Sequence, residues 1–175
     1  MSDTFDIEAE LRDLAARRDI QKALMRYMRG QDRLDPALHL SAFHEGAYVD
    51  CGLMAGSAQD FVTFAQGFLA DLEASQHIIA QTDIEVRGSE ASGEVYFYAW
   101  HRLHQDGEAK DLIVAGRYID EYACRGGEWR ILKRRELIDW ARTDPAADAF
   151  LAQNPHLPRG GRRGADFSQT RDWPL

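Results

Sequence analysis

The chain has 175 residues, of which 45% are hydrophobic and 29% charged. It is therefore long enough for one globular domain with a buried core. Its 29 Asp and Glu residues outnumber 21 Lys and Arg residues, and the net charge of −8 argues against nucleic acid as the main partner. The sequence contains no apolar run of about 18 residues, so no segment is expected to span a membrane.

The first ten residues are acidic and lack the basic and apolar regions of a signal peptide. This pattern predicts a cytoplasmic protein. The two cysteines, Cys51 and Cys124, are then expected to be free thiols, because disulfides are rare in a reducing compartment.

The first third of the chain shows helical periodicity. Apolar residues recur at spacings of three and four from Ile7 to Gly30, which predicts a long helix. Asp19 could cap a second helix and so introduce a break, and Gly30 is expected to end the run. A short helix over Pro36–Phe43 follows, with Asp35 as its cap.

The remainder is predicted to be mostly strand. A short strand over Ala47–Cys51 and a helix over Asp60–Glu73 come first. After them, alternating apolar and polar residues separated by tight turns predict strands. These cover Gln76–Ala80, the alternating segment at Ile84 and Val86, Glu94–His104, Leu112–Tyr122 and Trp129–Trp140.

Helices followed by antiparallel strands indicate an α+β fold, with helices packed on one face of a curved sheet. Residues 1–144 are expected to form this domain. Residues 145–175 have a different character, with a short helix predicted near residues 146–151 and an Arg-Gly-rich run at 159–164. We interpret this segment as a partly irregular extension that could pack on a neighbouring subunit.

The sequence does not support metal or cofactor chemistry. His101 and His104 are three residues apart on a predicted strand, so they should lie on opposite faces. No paired-cysteine metal motif, nucleophile elbow, phosphate-binding loop or dinucleotide fingerprint occurs. We expect neither a metal nor a cofactor.

Acid–base chemistry remains, and three residues could carry it. Asp32 follows the first helix, His77 opens a strand, and Arg134 lies on an apolar strand face. Each also has an ordinary structural interpretation: a turn cap, a core histidine and an exposed basic run. Spacing alone does not bring the three together.

Several segments jointly resemble the SnoaL-like branch of the nuclear transport factor 2-like superfamily over about residues 7–144. They are 19–32, 43–47, 76–79, 116–122 and 127–130. The resemblance implies a cone-shaped antiparallel sheet around N-terminal helices, with an internal pocket. Within the superfamily, the chain is similar to the scytalone dehydratase and γ-hexachlorocyclohexane dehydrochlorinase enzymes.

That similarity assigns roles to residues of this chain. It implies a catalytic pair of Asp32 and His77, with Arg134 assisting the leaving group. His101 falls near the position of a second histidine, which helps to orient a catalytic water in the dehydratase. Three positions depart from the dehydratase pattern, since Cys51, Gly116 and Tyr118 replace a pocket tyrosine, a serine and an asparagine. The expected pocket residues are Tyr27, Tyr48, Cys51, Phe64, Phe68, Trp100, His101, Tyr118 and Trp140.

The resulting hypothesis is a cofactor-independent lyase that removes a proton from carbon in an apolar, aromatic or polycyclic small molecule. Two alternatives stay open: an isomerase or cyclase that uses the same base, and a non-catalytic binding protein or oxygenase accessory subunit. The resemblance also implies a homo-oligomer, a trimer or a dimer.

Overall fold

The computed structural model describes residues 6–173. Its helices and strands occur in the order α1 Ile7–Asp32, α2 Pro36–Leu40, β1 Phe43–Asp50, β2 Ala55–Ser57, α3 Ala58–Ala70, β3 Ala74–Arg87, β4 Glu90–Gln105, β5 Glu108–Arg125, β6 Glu128–Pro145, α4 Ala149–Gln153 and α5 Phe167–Thr170. The helices precede the long strands, and the predicted α+β class is confirmed.

The six strands form one sheet in the order β2-β1-β6-β5-β4-β3. The neighbours from β3 to β6 are antiparallel hairpins, but β1 pairs with β6 in parallel. The expected all-antiparallel sheet is corrected at this one pair. The alternation of side chains within a strand does not depend on the direction of the neighbouring strand, so the parallel pairing could not be predicted from it.

The helix α1 lies against the concave side of the sheet and supplies much of the core. Ile20, Leu24 and Tyr27 are almost fully buried and belong to the same cluster as Val95 and Phe97 of β4. No helix in residues 6–173 is long and apolar enough to cross a membrane.

Two details of α1 correct the sequence analysis. The helix is continuous through Asp19, whose carboxylate pairs with Arg18 and Lys22 instead of capping a new helix. Gly30 also lies inside the helix. A Cβ there would come within 2.4 Å of the backbone nitrogen of His39, so glycine is required by the close approach of α2, and the helix runs on to Asp32.

The sheet has irregularities that the sequence did not reveal. β3 is one strand from Ala74 to Arg87, with a register shift between Ile79 and Thr82 where a gap between two strands was expected. Where β5 pairs with β6, Ala115 is opposite Trp140 but Gly116 is opposite Ile138, so Asp139 is an extra residue in β6. Such a bulge reverses which face the following residues occupy.

The C-terminal extension folds back on its own chain. Arg162 donates hydrogen bonds to the carbonyl oxygens of Leu69 and Leu72, at the end of α3, and to Oγ of Ser75. The backbone of Arg163 donates to the carbonyl oxygen of Arg33. The arginine-rich run thus connects the C-terminal ends of α1 and α3. Its contact with a neighbouring subunit stays a prediction.

The outer face of the sheet exposes aromatic and aliphatic side chains, among them Tyr96, Tyr98, Ile119 and Trp140. The charges between them pair with one another, since Arg117 binds both Glu94 and Asp139. Self-association through this face also stays a prediction.

Candidate active site

Asp32 and His77 meet although 45 residues separate them. Asp32 is the last residue of α1, and His77 is near the start of β3. Nδ1 of His77 lies 2.7 Å from Oδ1 of Asp32, and the backbone N–H of His77 donates to both carboxylate oxygens at 3.1 Å. Three contacts therefore fix the carboxylate against the imidazole.

The hydrogen bond determines which nitrogen is available for chemistry. A carboxylate only accepts, so Nδ1 of His77 carries the proton and Nε2 is the basic nitrogen. No protein group among residues 6–173 hydrogen-bonds to Nε2. The side chains of His77 and Asp32 are 7% and 13% exposed, which shelters the pair from bulk water.

His101 extends this pair into a cluster. Its ring packs edge-on against His77, with centroids 5.1 Å apart, and against Phe68 at 6.0 Å. Burial, together with the charge of His77, lowers the pKa of His101 to about 4. The ring is therefore neutral at physiological pH, and its buried Nδ1 has no hydrogen-bond partner in the described structure.

His77 and His101 border a cavity of about 460 Å³ whose walls are mostly apolar, and Asp32 lies behind His77, outside the lining. Of the nine pocket residues expected from the sequence, five are part of its lining, as is the expected catalytic residue His77; the five are Tyr27, Cys51, Phe68, His101 and Tyr118. The cavity is large enough for a drug-sized ligand.

Four expected pocket residues lie elsewhere. Tyr48, Phe64 and Trp140 are 46%, 39% and 48% exposed. Tyr48 flanks the inward-facing Val49 on the opposite side of β1, and the inner side of α3 is occupied by Phe61 and its neighbours.

The other misplaced residues follow from strand geometry. Trp100 lies on the outer face of β4, between the inward-facing Ala99 and His101. Trp140 was expected beside Arg134 and Ile138, but the extra residue Asp139 turns it outward. The alternation of side chains between the two faces of a strand therefore does not predict the facing of residues beyond a bulge.

Arg134 is buried behind the cavity wall and is not part of its lining. Its Nε and Nη2 donate to Asp120 at 2.8 and 2.6 Å, and both side chains are fully inaccessible. The guanidinium carbon also lies 4.1 Å from the ring of Tyr27 and 3.9 Å from that of Tyr118. The guanidinium thus lies behind two aromatic rings of the cavity wall, and the expected assistance of Arg134 to a leaving group stays a prediction.

The structure adds cavity residues that the sequence analysis missed. Gln31 and Phe61 come from the helices, and Glu136 comes from β6. Glu136 is two residues from Arg134, so alternation would have placed it on the same inward face. Burial raises the pKa of the Glu136 carboxyl above its ordinary value, although Arg134 and His77 act in the opposite direction.

The residues described provide no site for a metal ion: no three His, Cys, Asp or Glu side chains converge within residues 6–173. Cys51 and Cys124 are free thiols. The chemical groups of the cavity are thus a base held by a carboxylate, a neutral histidine, a second carboxyl group and two phenols.

Comparison with known families and structures agrees with this architecture. The SnoaL-like domain family matches residues 12–135. No curated protein sequence matches the chain.

Solved structures share the fold at low identity. The Kfla4162 protein of Kribbella flavida is 18% identical with a TM-score of 0.65, covering 78% of this chain and 96% of the other. A scytalone dehydratase-like protein of Novosphingobium aromaticivorans is 20% identical at 0.67, with coverages of 77% and 91%. Hexachlorocyclohexane dehydrochlorinase LinA type 3 of Novosphingobium barchaimii is 20% identical at 0.67, with coverages of 79% and 95%.

Proposed function

Because this chain belongs to the SnoaL-like domain family, we propose that it is a small-molecule lyase in which His77 removes a proton from carbon without a cofactor. The observation that carries the proposal is the 2.7 Å hydrogen bond between His77 and Asp32 at the edge of an apolar cavity. Fold alone would not distinguish a lyase from a binding protein.

The pair has the properties that an elimination requires. The unpaired Nε2 of His77 accepts the proton from substrate carbon, and the electrons of that bond form a double bond as the leaving group departs. Asp32 then stabilises the imidazolium through Nδ1, as the carboxylate of a catalytic triad does. A positioned base of this kind contributes about 10²–10⁴-fold in rate.

The cavity supports an apolar, aromatic substrate. Its lining is dominated by aromatic and aliphatic side chains, and its volume of about 460 Å³ exceeds that of a single substituted benzene ring. A low-dielectric cavity also strengthens the interaction between the imidazolium and the carboxylate. The name of the dehydrochlorinase neighbour describes elimination, and this supports the same class of reaction here.

The test uses 5-nitrobenzisoxazole, an aromatic probe whose ring opens when a base removes its carbon-bound proton. The coloured cyanophenolate product forms with no other reactant. We expect the protein to open this probe well above the rate given by an equal concentration of imidazole, and His77→Ala to lower kcat/KM at least about 100-fold.

The matched control is His156→Ala, which changes an exposed histidine of the C-terminal extension and should retain the wild-type rate. A wild-type rate no greater than that of imidazole, or full activity in His77→Ala, would show that the proposed function is wrong.

A further inference from the structure

Glu136 is a carboxyl group in an apolar cavity, and the pair of Asp32 and His77 does not account for it. It lies on β6 opposite Tyr118 of β5 and lines the same cavity as His77. A carboxyl group in such surroundings is unfavourable unless it is paired or kept neutral. Its position therefore calls for a chemical explanation.

The nearest cation does not neutralise Glu136 by a direct bond. Arg134, two residues away, directs Nε and Nη2 to Asp120. Within residues 6–173, the Glu136 side chain makes no hydrogen bond to another protein group. Its oxygens are thus available to a molecule in the cavity.

Glu136 shares the cavity lining with titratable groups from four other elements. Tyr118 lies on β5, Tyr27 on α1, His101 on β4 and His77 on β3. Desolvation raises the pKa of Glu136 and outweighs the lowering by Arg134 and His77. Burial thus makes the Glu136 carboxyl a weaker acid than an exposed glutamate, and in its protonated form the group can donate a hydrogen bond.

The sheet holds this acid and the base His77 on different strands. β3 carries His77 and β6 carries Glu136, with β4 and β5 between them, and the curved sheet places both in one cavity lining. The charge of His77 bears on the Glu136 carboxyl. A substrate that fills the cavity can therefore contact both groups at once.

We propose that Glu136 is a catalytic general acid that protonates an oxygen leaving group while His77 removes the proton from carbon. The proposal rests on the proposed function and names its substrate class: aromatic compounds with a hydroxyl group β to an acidic carbon–hydrogen bond. Hydroxide is a poor leaving group in an apolar cavity, so its departure requires a proton.

The step balances. The carbon–hydrogen electrons form the new carbon–carbon double bond, and the carbon–oxygen bond breaks with its electron pair on oxygen. The carboxyl proton of Glu136 joins that oxygen, and water leaves. His77 ends as imidazolium and Glu136 as carboxylate, and solvent carries one proton from the first to the second before the next turnover.

The test compares two probes that differ in the leaving group. They are 4-hydroxy-4-phenylbutan-2-one, which loses water, and its 4-acetoxy analogue, which loses acetate and needs no acid. Both give the same conjugated ketone, followed by its ultraviolet absorbance. We expect Glu136→Gln to lower kcat for the hydroxy probe at least about 100-fold and for the acetoxy probe less than about tenfold.

Controls separate this role from a structural one. Glu121→Gln makes the same change at an exposed position of β5 and should leave the ratio of the two rates unchanged. Glu136→Asp keeps the acid and should restore part of the hydroxy rate. If Glu136→Gln misfolds by circular dichroism, the folded Asp variant decides: a loss that is larger for the hydroxy probe supports an acid, and equal effects on both probes contradict it.

The remaining outcomes contradict the proposal. Equal losses for both probes in folded Glu136→Gln would indicate a structural or binding role, and a retained hydroxy rate would exclude an acid. Wild-type protein that eliminates acetate or opens 5-nitrobenzisoxazole but does not release water would also overturn it. Failure with all three probes would instead contradict the proposed function of His77.

Discussion

Asp32→Asn will lower the turnover of 5-nitrobenzisoxazole by about 10²–10⁴-fold while the fold is retained. Asparagine has the shape of aspartate, and its oxygen can still accept from the backbone N–H of His77, which now donates to both carboxylate oxygens at 3.1 Å. It has no charge to stabilise an imidazolium. Its amide N–H₂ can also donate to Nδ1 and so select the wrong tautomer.

The measurement is steady-state kinetics near neutral pH, with the free energy of unfolding measured on the same samples. Asp106→Asn is the matched control. Asp106 is exposed in the turn between β4 and β5 and has a φ of 54°, a conformation that asparagine tolerates. Undiminished turnover in Asp32→Asn would mean that the carboxylate only holds the strand in place.

Asp120→Asn will have the largest effect on stability. Asp120 and Arg134 are both fully inaccessible and are joined by two hydrogen bonds of 2.8 and 2.6 Å. Tyr122 also donates to Asp120 at 2.7 Å. Removing the negative charge leaves a guanidinium in the core without an anion, which costs about 3–5 kcal/mol in comparable buried pairs.

Urea unfolding of wild type and variant measures this difference. Asp139→Asn is the control, because Asp139 pairs with the same residue type, Arg117, on the solvent side of the sheet. Exposed pairs contribute little, so its unfolding free energy should change far less. Similar losses of unfolding free energy in both variants would show that the buried pair stabilises the fold no more than the exposed pair does.

Alternation and helical periodicity predicted the fold well where strands and helices are regular. The inward face of β4, with Phe97, Ala99 and His101, follows directly from a period of two. The same rule misplaced Trp140, because the bulge at Asp139 leaves no mark in residue type. Gly30 was predicted to end the helix, but it lies within α1, where the lack of a side chain allows α2 to pack closely against it.

The candidate site was harder to predict because its parts are distant in sequence. Nothing in the residues alone joins Asp32 to His77; the family resemblance did, and the structure places them in contact. The opposite holds for Glu136. Glu136 lies two residues from Arg134 on the same strand face, so alternation was sufficient to predict that it faces inward. It belongs to none of the segments that carry the family resemblance.

The two neutral histidines of the interior make the protein sensitive to acid. Burial, and then the charge of Arg134, lowers the pKa of His39 to about 3, and that of His101 is about 4. Both pKa values lie below the ordinary 6.5 of histidine. Between each lowered value and pH 6.5, the unfolded chain therefore binds protons more readily than the folded protein does. Stability is full above about pH 6.5 and falls, by up to about 1.4 kcal/mol per histidine per pH unit, as acid is added.

One of these rings touches the base itself, since His101 packs against His77. Acidification therefore loosens the scaffold beside the residue proposed to accept the proton. The acidic limb of a rate profile will include this loss of structure, and a folding signal recorded at each pH will separate the inactive folded protein from the denatured one.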